Sequence, residues 1–458
     1  MRVLFATAEL RPLVSVGGLG EAATGLVSGL RARGLDVVVA LPDYGRWELV
    51  DERVVELSVP EWAHPAAARI GDHVQAGQIA LIDVPGIERP NPYVDESGQG
   101  WPDNDRRFIG FSAAVASLAT ELAVDVVHLN DWHTSYVPAF LGEALPSLVT
   151  IHNLAHQGWA DARWFERLPR HHAEYTMGDA VNGLAGALRL ADRVVAVSPT
   201  YAAEIVTEGG GLGLHEVLAD RGDALQGVLN GIDTAAWAPD RDVHTPQFSA
   251  DDLTGKAKAR AALLDRVGWT DTGEPLIVMV TRLVEQKGVD LAFTAGRFLP
   301  GMKARLIVLG SGDAELARWG EEMAAEMPDR FWFENGYDAP LSHLLFSGGD
   351  LLLMPSRFEP CGLAQMQAMA YGTIPIVTPV GGLSDTVIDA DRSKDGNGFV
   401  ATSVDGAGVV DAIHRSLRAT RHARRKAAIQ RRGMEHDWSW SGASETFAAL
   451  YDEIASTG

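Results

Sequence analysis

Short apolar runs alternate with amphipathic segments along most of the chain, and this alternation predicts β-strands joined by helices. Runs that are apolar throughout indicate strands buried on both faces of a parallel sheet. In the first half of the chain the predicted strands are 2–7, 37–41, 79–84, 124–129, 148–151 and 194–197. In the second half they are 276–280, 306–309, 331–333, 351–354 and 374–377.

Amphipathic segments at 21–33, 107–122 and 182–190 predict helices between these strands. A polar stretch from about 239 to 273 interrupts this alternation of predicted strands and helices. We therefore predict an α/β fold with two doubly wound, Rossmann-like domains. The predicted parts are an amino-terminal domain (1–240), a linker region (241–273), a carboxy-terminal domain (274–437) and a final helix (438–458). One very large sheet is the disfavoured alternative, because single cores stop growing near ~250–300 residues.

The charge of the chain excludes several partners. It has 458 residues, 39 Lys and Arg against 61 Asp and Glu, and a formal net charge of −22. Nucleic acids and anionic membrane surfaces would be repelled, so we expect neither as a partner. An anionic ligand must be bound by a few local cations. A single cysteine, the absence of a long apolar run and an amino terminus unlike a signal peptide predict a cytoplasmic protein.

Polar and glycine-rich clusters follow most of the predicted strands. Ligands of open α/β sheets bind beyond the carboxyl ends of the strands, so these clusters are candidate site residues. They include Gly17, Gly18, Asp131, His152, Asn153, Arg282, Lys287, Tyr337, Glu359, Cys361, Gly362, Leu363, Gly381 and Gly382. The chain lacks the P-loop motif, so it is not a P-loop NTPase. It also lacks the glycine spacing of the dinucleotide fingerprint, which disfavours an NAD-dependent enzyme.

Two cations stand five residues apart across a predicted strand-to-helix junction. Arg282 and Lys287 can reach one diphosphate from two sides, although two surface cations would have the same spacing. Glu359 can bond a ligand hydroxyl, stabilise positive charge or cap a helix. Asp131 can serve a site or make a structural hydrogen bond, and Tyr337 can stack on a base or lie in a core. The histidine spacings do not fit a metal site, and we predict none.

Several motifs together resemble the bacterial glycogen synthases and plant starch synthases. They include Glu359-Pro360-Cys361-Gly362-Leu363, Asn130-Asp131-Trp132-His133, Ile151-His152-Asn153 and Arg282 followed by Lys287-Gly288. Their order and spacing span essentially the whole chain. The resemblance implies a GT-B fold whose carboxy-terminal helix crosses back onto the first domain. It further implies a retaining, metal-independent transferase without a cofactor, which moves glucose from ADP-glucose to the non-reducing 4-hydroxyl of an α-1,4-glucan.

The same resemblance implies roles for the candidate residues. Arg282 and Lys287 would bind the diphosphate and Tyr337 would lie near the adenine. Glu359 would face the donor sugar, whose hydroxyls the Cys361, Gly362 and Leu363 amides and His152 would hold. Asp131 would lie near the reacting centre, with Asn153 on the acceptor side. Glycines 17, 18, 381 and 382 would complete the donor site.

One departure from the family pattern leaves the substrate open. Ser15 stands where the family usually has a lysine, so a cation near the donor phosphates or the acceptor is lost. In addition, Glu21 replaces a usual aspartate. Two alternatives therefore accompany the glucan synthase prediction. One is a transferase of the same fold with another nucleotide sugar or a small-molecule acceptor, and the other is a glucan-binding pseudoenzyme.

Overall fold

The computed structural model describes residues 1–45, 47–142 and 145–457, and it divides the chain into two compact units. Unit 1 comprises Met1–Gly231 together with Trp440–Gly458, and unit 2 comprises Ile232–Ser439. Each unit is built on its own mainly parallel sheet.

The large sheet of unit 1 is parallel in its centre and antiparallel at one edge. Its described strands run in the order β12-β11-β7-β6-β1-β2-β5-β4-β3, and β3 and β4 are the antiparallel ones. A small sheet, β8-β10-β9, lies apart from it. The strands are β1 (Arg2–Ala6), β2 (Asp36–Pro42), β3 (Val50–Glu56), β4 (Ala67–His73), β5 (Gly77–Asp83), β6 (Val126–Asn130), β7 (Ser147–Ile151), β8 (Trp159–Ala160), β9 (Thr176–Met177), β10 (Ala180–Asn182), β11 (Arg193–Ala196) and β12 (Leu225–Gly227).

The carboxy-terminal helix, Ser441–Thr457, belongs to the core of unit 1. Phe447 and Tyr451 are buried there, and the Tyr451 hydroxyl lies 2.5 Å from Nδ1 of His128 in β6. The predicted return of the chain end to the first domain is thereby confirmed. The other helices of unit 1 are α1 (Gly18–Ala32), α2 (Asn104–Glu121), α3 (Val137–Phe140), α4 (Gly183–Leu190), α5 (Pro199–Ile205) and α6 (His215–Ala219).

Unit 2 has a parallel sheet in the order β15-β14-β13-β16-β17-β18 among its described strands. These are β13 (Leu276–Leu283), β14 (Arg305–Gly312), β15 (Phe331–Asn335), β16 (Leu351–Met354), β17 (Ile374–Val377) and β18 (Phe399–Val400). Its helices are α7 (Thr254–Arg266), α8 (Val289–Gly296), α9 (Leu299–Met302), α10 (Ala314–Glu326), α11 (Ala339–Gly348), α12 (Ala364–Ala370), α13 (Gly381–Thr386), α14 (Gly406–Thr420) and α15 (Ala423–Glu435).

The stretch 241–273, for which the sequence predicts a linker, lies within unit 2. It contains α7 and three buried polar residues, Asp242, Thr245 and Lys256, so its polar composition does not reflect exposure alone. The unit boundaries fall after Gly231 and after Ser439, where the prediction has 240 and 437. Within the described residues, none of the helices combines the length and apolar character needed to cross a bilayer.

Candidate active site

In unit 1 the candidate residues follow three adjacent parallel strands. β6 pairs with β1 on one side and β7 on the other, so the carboxyl ends of the three strands meet at one edge of the sheet. The loop after β1 leads to Gly17 and Gly18, the loop after β6 begins with Asp131, and the loop after β7 begins with His152 and Asn153.

Asp131 joins two of these loops through its carboxylate. Oδ1 accepts hydrogen bonds from the backbone N–H groups of His152 at 2.6 Å and Asn153 at 3.3 Å. The residue has a left-handed φ of 55° and is 5% exposed. Burial raises the pKa of Asp131 to about 7, and the negative charge of Glu9 adds to the rise. The protonation of this carboxyl therefore changes near neutral pH.

His152 is held in a neutral form with a defined tautomer. Its Nε2 lies 2.9 Å from Oδ1 of Asn130, whose amide nitrogen donates to the Ala6 carbonyl at 2.9 Å. Burial lowers the pKa of His152 to about 3, so the ring is uncharged at neutral pH. Nε2 is then the donor toward Asn130, and Nδ1 is the nitrogen able to accept a hydrogen bond from a ligand hydroxyl.

A buried carboxylate that sequence reasoning missed shapes the loop before α1. Glu9 is 3% exposed, and its Oε2 accepts from the N–H groups of Val16 at 2.7 Å and Gly17 at 3.1 Å. Its Oε1 accepts from the Tyr93 hydroxyl at 2.7 Å. The sequence could have indicated Glu9 as a candidate because it follows a buried strand. Its backbone partners, however, are visible only in the folded loop.

The start of α1 is open in front of Gly17. No described atom lies within 4 Å of the place where a Cβ would stand on this residue, and its φ of −147° suits any amino acid. Ser15, two residues earlier, donates from its hydroxyl to the Gly17 carbonyl at 3.3 Å. The packing of unit 1 therefore does not by itself require a glycine here.

In unit 2 the structure brings Lys287 and Glu359 into direct contact. Nζ of Lys287 lies 2.8 and 2.6 Å from Oε1 and Oε2 of Glu359, and the Ser356 hydroxyl donates to Oε2 at 3.0 Å. Lys287 ends a short turn after β13, and Gly288 follows with a φ of 62°. A Cβ on Gly288 would lie 1.9 Å from the Pro355 carbonyl oxygen, so only glycine permits this approach.

The loop after Glu359 packs backbone to backbone against the glycine pair that opens α13. The N–H of Gly382 donates to the Glu359 carbonyl at 3.0 Å, and a Cβ on Gly382 would lie 2.1 Å from the Cys361 carbonyl oxygen. Gln365, also missed by sequence reasoning, donates from Nε2 to the carbonyls of Cys361 at 3.1 Å and Gly362 at 2.9 Å. These contacts define the shape of the loop.

Arg282 and Tyr337 lie at the same edge of this sheet but are exposed. Arg282 is near the carboxyl end of β13, and Tyr337 follows β15 and is 79% exposed. Among the described residues we find no group of three or more His, Cys, Asp or Glu side chains placed to hold a metal ion.

The chain has two Rossmann-type units, and each has polar and glycine-rich loops at the carboxyl edge of its sheet. Its final helix returns to the first unit. These features define a GT-B glycosyltransferase. Two family descriptions match the chain. They are "Starch synthase catalytic domain" at residues 2–220 and "Glycosyl transferases group 1" at residues 265–432.

Full-length relatives narrow this class further. The chain is 38% identical to the glycogen synthase of Halorhodospira halophila over 476 residues, which cover 100% of both proteins. It is 40% identical to that of Alkalilimnicola ehrlichii over 481 residues, with 98% of each covered. The chain belongs to the glycogen and starch synthase family, and it is a glycosyltransferase that moves glucosyl groups from a nucleotide sugar to a glucan.

Solved structures agree with this assignment. The catalytic domain of Starch Synthase IV from Arabidopsis thaliana, bound to ADP and acarbose, superposes with a TM-score of 0.89 at 31% identity, covering 99% of each chain. The sucrose-phosphate synthase of Thermosynechococcus elongatus shares the fold, with a TM-score of 0.66 at 19% identity over 100% of each chain. The predicted fold class and family are confirmed.

Proposed function

We propose that the protein transfers glucose from ADP-glucose to the 4-hydroxyl at the non-reducing end of an α-1,4-glucan, with retention at the anomeric carbon. The observation that carries the proposal is the ion pair between Lys287 and the buried Glu359 at the carboxyl edge of the unit 2 sheet. ADP is favoured as the donor nucleotide because the similar Starch Synthase IV structure holds ADP.

Cleavage of a nucleotide sugar places positive charge on the sugar and negative charge on the departing diphosphate. Lys287 and Arg282 would stabilise that diphosphate, and such interactions accelerate the reaction when they strengthen toward the transition state. The Glu359 carboxylate would face the donor sugar. The amides of the loop from Cys361 to Leu363 would hold its hydroxyls, with Gly381 and Gly382 fixing the loop from behind.

The residues of unit 1 would serve the sugar and the acceptor. His152 would accept a glucose hydroxyl at Nδ1, because Nε2 is committed to Asn130. Asp131 would lie near the reacting centre and Asn153 on the acceptor side. The open space at Gly17 would admit part of the donor, with Gly18 beside it. The departing phosphate oxygen would take the acceptor proton, so the C–O bond to ADP breaks as the new glycosidic bond forms.

Three further properties belong to the proposal. We expect no cofactor or metal beyond the sugar nucleotide itself. A net charge of −22 supports a neutral glucan rather than a polyanion as acceptor, with neither a nucleic acid nor a membrane as partner. We also expect the protein to act in the cytoplasm. Among the site residues, Tyr337 would stack on the adenine.

A direct assay tests the proposal. Purified protein is incubated with ADP-, UDP- or GDP-glucose, with and without glycogen, and release of nucleoside diphosphate is measured. ADP release that depends on glycogen is expected. Release only from another donor, or only with a small acceptor, contradicts the proposal.

A second candidate rests on Ser15. This residue is short and neutral, and its hydroxyl is directed to the Gly17 carbonyl, so position 15 supplies no cation to the loop before α1. That observation favours another nucleotide sugar or a small-molecule acceptor, and the donor comparison separates the two candidates. Glycogen binding without any release would instead identify a glucan-binding pseudoenzyme.

A further inference from the structure

Helix α7 carries a lysine whose amine is buried inside unit 2. Lys256 is 8% exposed. Its Nζ donates to the carbonyls of Ser347 at 2.9 Å and Tyr371 at 2.9 Å and to the Thr373 hydroxyl at 2.8 Å, and the Phe346 carbonyl lies at 3.4 Å. The roles proposed above do not involve this group.

These acceptors lie at the carboxyl ends of two helices. Phe346 and Ser347 are in the last turn of α11, and Tyr371 directly follows α12. Helix carboxyl ends present unpaired carbonyls and partial negative charge, and a cation placed there is favourable. The Lys256 ammonium therefore ties the ends of α11 and α12 together, next to Thr373 at the start of β17.

Helix α12 connects this amine to the proposed donor loop. It has seven residues, so it is about 10 Å long, and it begins directly after Leu363. A second contact fixes its far end, because the Tyr371 hydroxyl donates to Asp242, whose Oδ2 also lies 2.7 Å from Nδ1 of His343. Both contacts come from the stretch 241–273.

We propose that Lys256 is a positioning residue for glucosyl transfer: its ammonium group holds the carboxyl end of α12 and thereby sets the position of the loop from Glu359 to Leu363 at the other end. The inference rests on the proposed function insofar as that loop holds the donor sugar. Displacing such a loop lowers the rate of the chemical step more than it weakens binding of the diphosphate, which Arg282 and Lys287 would hold.

The charge of Lys256 is sensitive to pH. Burial lowers the pKa of Lys256 to about 7, while Asp350 raises it and Lys426 lowers it further. Asp350 is itself paired with Arg260 at 2.7 Å and with Lys426. A second polar cluster near Lys256 consists of the hydrogen-bonded side chains of Tyr371, Asp242 and His343. A neutral amine has two N–H donors instead of three, so above about pH 7 the tie to the two helix ends weakens.

The test combines three variants with two readouts. Lys256→Met removes the charge at similar length, and Lys258→Met is the control because Lys258 is exposed on the same helix. Leu417→Ala, in the core of unit 2, is a control for lost stability alone. The readouts are steady-state kinetics, well below each melting temperature, and hydrogen exchange of the amides in residues 359–370.

For Lys256→Met we expect kcat to fall about tenfold or more, the affinity for ADP to change less than about threefold, and exchange in residues 359–370 to accelerate. Both controls should keep the wild-type kcat and the wild-type exchange in this segment. A folded Lys256→Met protein with wild-type kcat and exchange would overturn the inference.

A measurement on the unaltered protein decides the matter if Lys256→Met does not fold. Protection of amides 359–370, corrected for intrinsic exchange, should fall as pH rises from about 6 to about 10, the range in which the Lys256 amine loses its proton, and protection that stays constant over that whole range would overturn the inference. The exchange readout needs no turnover. If wild-type protein releases no ADP, the proposed function fails while the position of the loop is still tested.

Discussion

The amine of Lys287 lies within 2.8 Å of both carboxylate oxygens of Glu359, in a place where the glutamate side chain is 6% exposed. The two motifs to which these residues belong are 72 positions apart in the chain. Removing Lys287 would leave the charge of the buried Glu359 carboxylate without its partner, which costs about 3–5 kcal/mol. A diphosphate bound at Lys287 would share the lysine amine with Glu359. The pair therefore affects both the stability of unit 2 and the binding of the diphosphate.

Lys287→Ala is expected to lower both stability and turnover. The unpaired Glu359 carboxylate should reduce the free energy of unfolding by about 3–5 kcal/mol. If Lys287 stabilises the departing diphosphate as proposed, its loss should reduce kcat by at least ~10²-fold. Denaturant unfolding and release of nucleoside diphosphate measure the two effects.

The double variant Lys287→Met with Glu359→Gln is the matched control for that prediction. It removes both charges, so stability should return toward that of the wild type while turnover stays low. Lys394→Ala, at an exposed position of unit 2, should change neither quantity. Wild-type kcat in Lys287→Ala would contradict the proposed role.

Arg282→Ala is expected to lower turnover without lowering stability. The side chain is exposed near the carboxyl end of β13, so the folded unit loses no buried partner. If Arg282 stabilises the departing diphosphate, kcat should fall by at least ~10²-fold. Arg318→Ala, exposed on α10, serves as the control, and an equal loss of activity in both variants would show a general charge effect.

Much of the fold was predictable because its central strands are buried on both faces. The predicted strand 351–354 coincides with β16, and 374–377 coincides with β17. Strands β3 and β4 were missed for a physical reason. They are an antiparallel edge pair, and β3 is exposed along almost its whole length, so it lacks the continuous apolar run that marks a central strand.

The sequence indicated candidate site residues where polar side chains stand at or soon after the end of a buried strand. Asp131 and His152 were selected in this way, and the structure brings their loops together. Glu9 and Gln365 were missed because most of their partners are backbone groups whose positions depend on the folded loops. Lys256 was missed for a related reason, since a lysine on a polar helix suggests a solvated surface until the helix ends around it are known.

Asp131→Asn is expected to stabilise the protein above neutral pH and to lower its turnover. Burial raises the pKa of Asp131 to about 7, so between about pH 4 and 7 the folded state binds more protons than the unfolded chain, and stability falls as pH rises. Asparagine does not ionise, and it tolerates a left-handed φ. At about pH 8 the variant should gain about 2–4 kcal/mol relative to wild type, and this gain should vanish near pH 4.

The kinetic effect of Asp131→Asn should also depend on pH. If Asp131 lies near the reacting centre as proposed, wild-type kcat should fall as pH drops through about 7, because its carboxylate becomes protonated, and the gap to the variant should narrow there. Asp36→Asn, at the opposite edge of the unit 1 sheet, is the control. A constant ratio of the two rates across pH would show that ionisation of Asp131 has no part in turnover.

Glu9→Gln is expected to loosen the loop before α1. The amide oxygen can accept from the Val16 and Gly17 N–H groups in place of Oε2, but the amide nitrogen faces Tyr93 as a donor. The Tyr93 O–H then loses its acceptor. An unsatisfied buried group costs about 1–3 kcal/mol. Unfolding measures this loss, and KM for ADP-glucose should rise with it. Tyr93→Phe, which removes a single bond, should have the smaller effect on both.

Ser15→Lys tests whether a cation missing from the loop before α1 limits use of the donor. The lysine would stand two residues before Gly17, and no described atom lies within 4 Å of the place where a Cβ would stand on Gly17. If donor phosphates enter that space, kcat/KM for ADP-glucose should rise about tenfold, since an added charge-assisted bond contributes about 1.5–3 kcal/mol. Ser15→Met, of similar length but uncharged, should not raise it. If the lysine variant instead loses activity while wild-type protein uses another donor or a small acceptor, then Ser15 is part of a different specificity, and the second candidate function is the correct one.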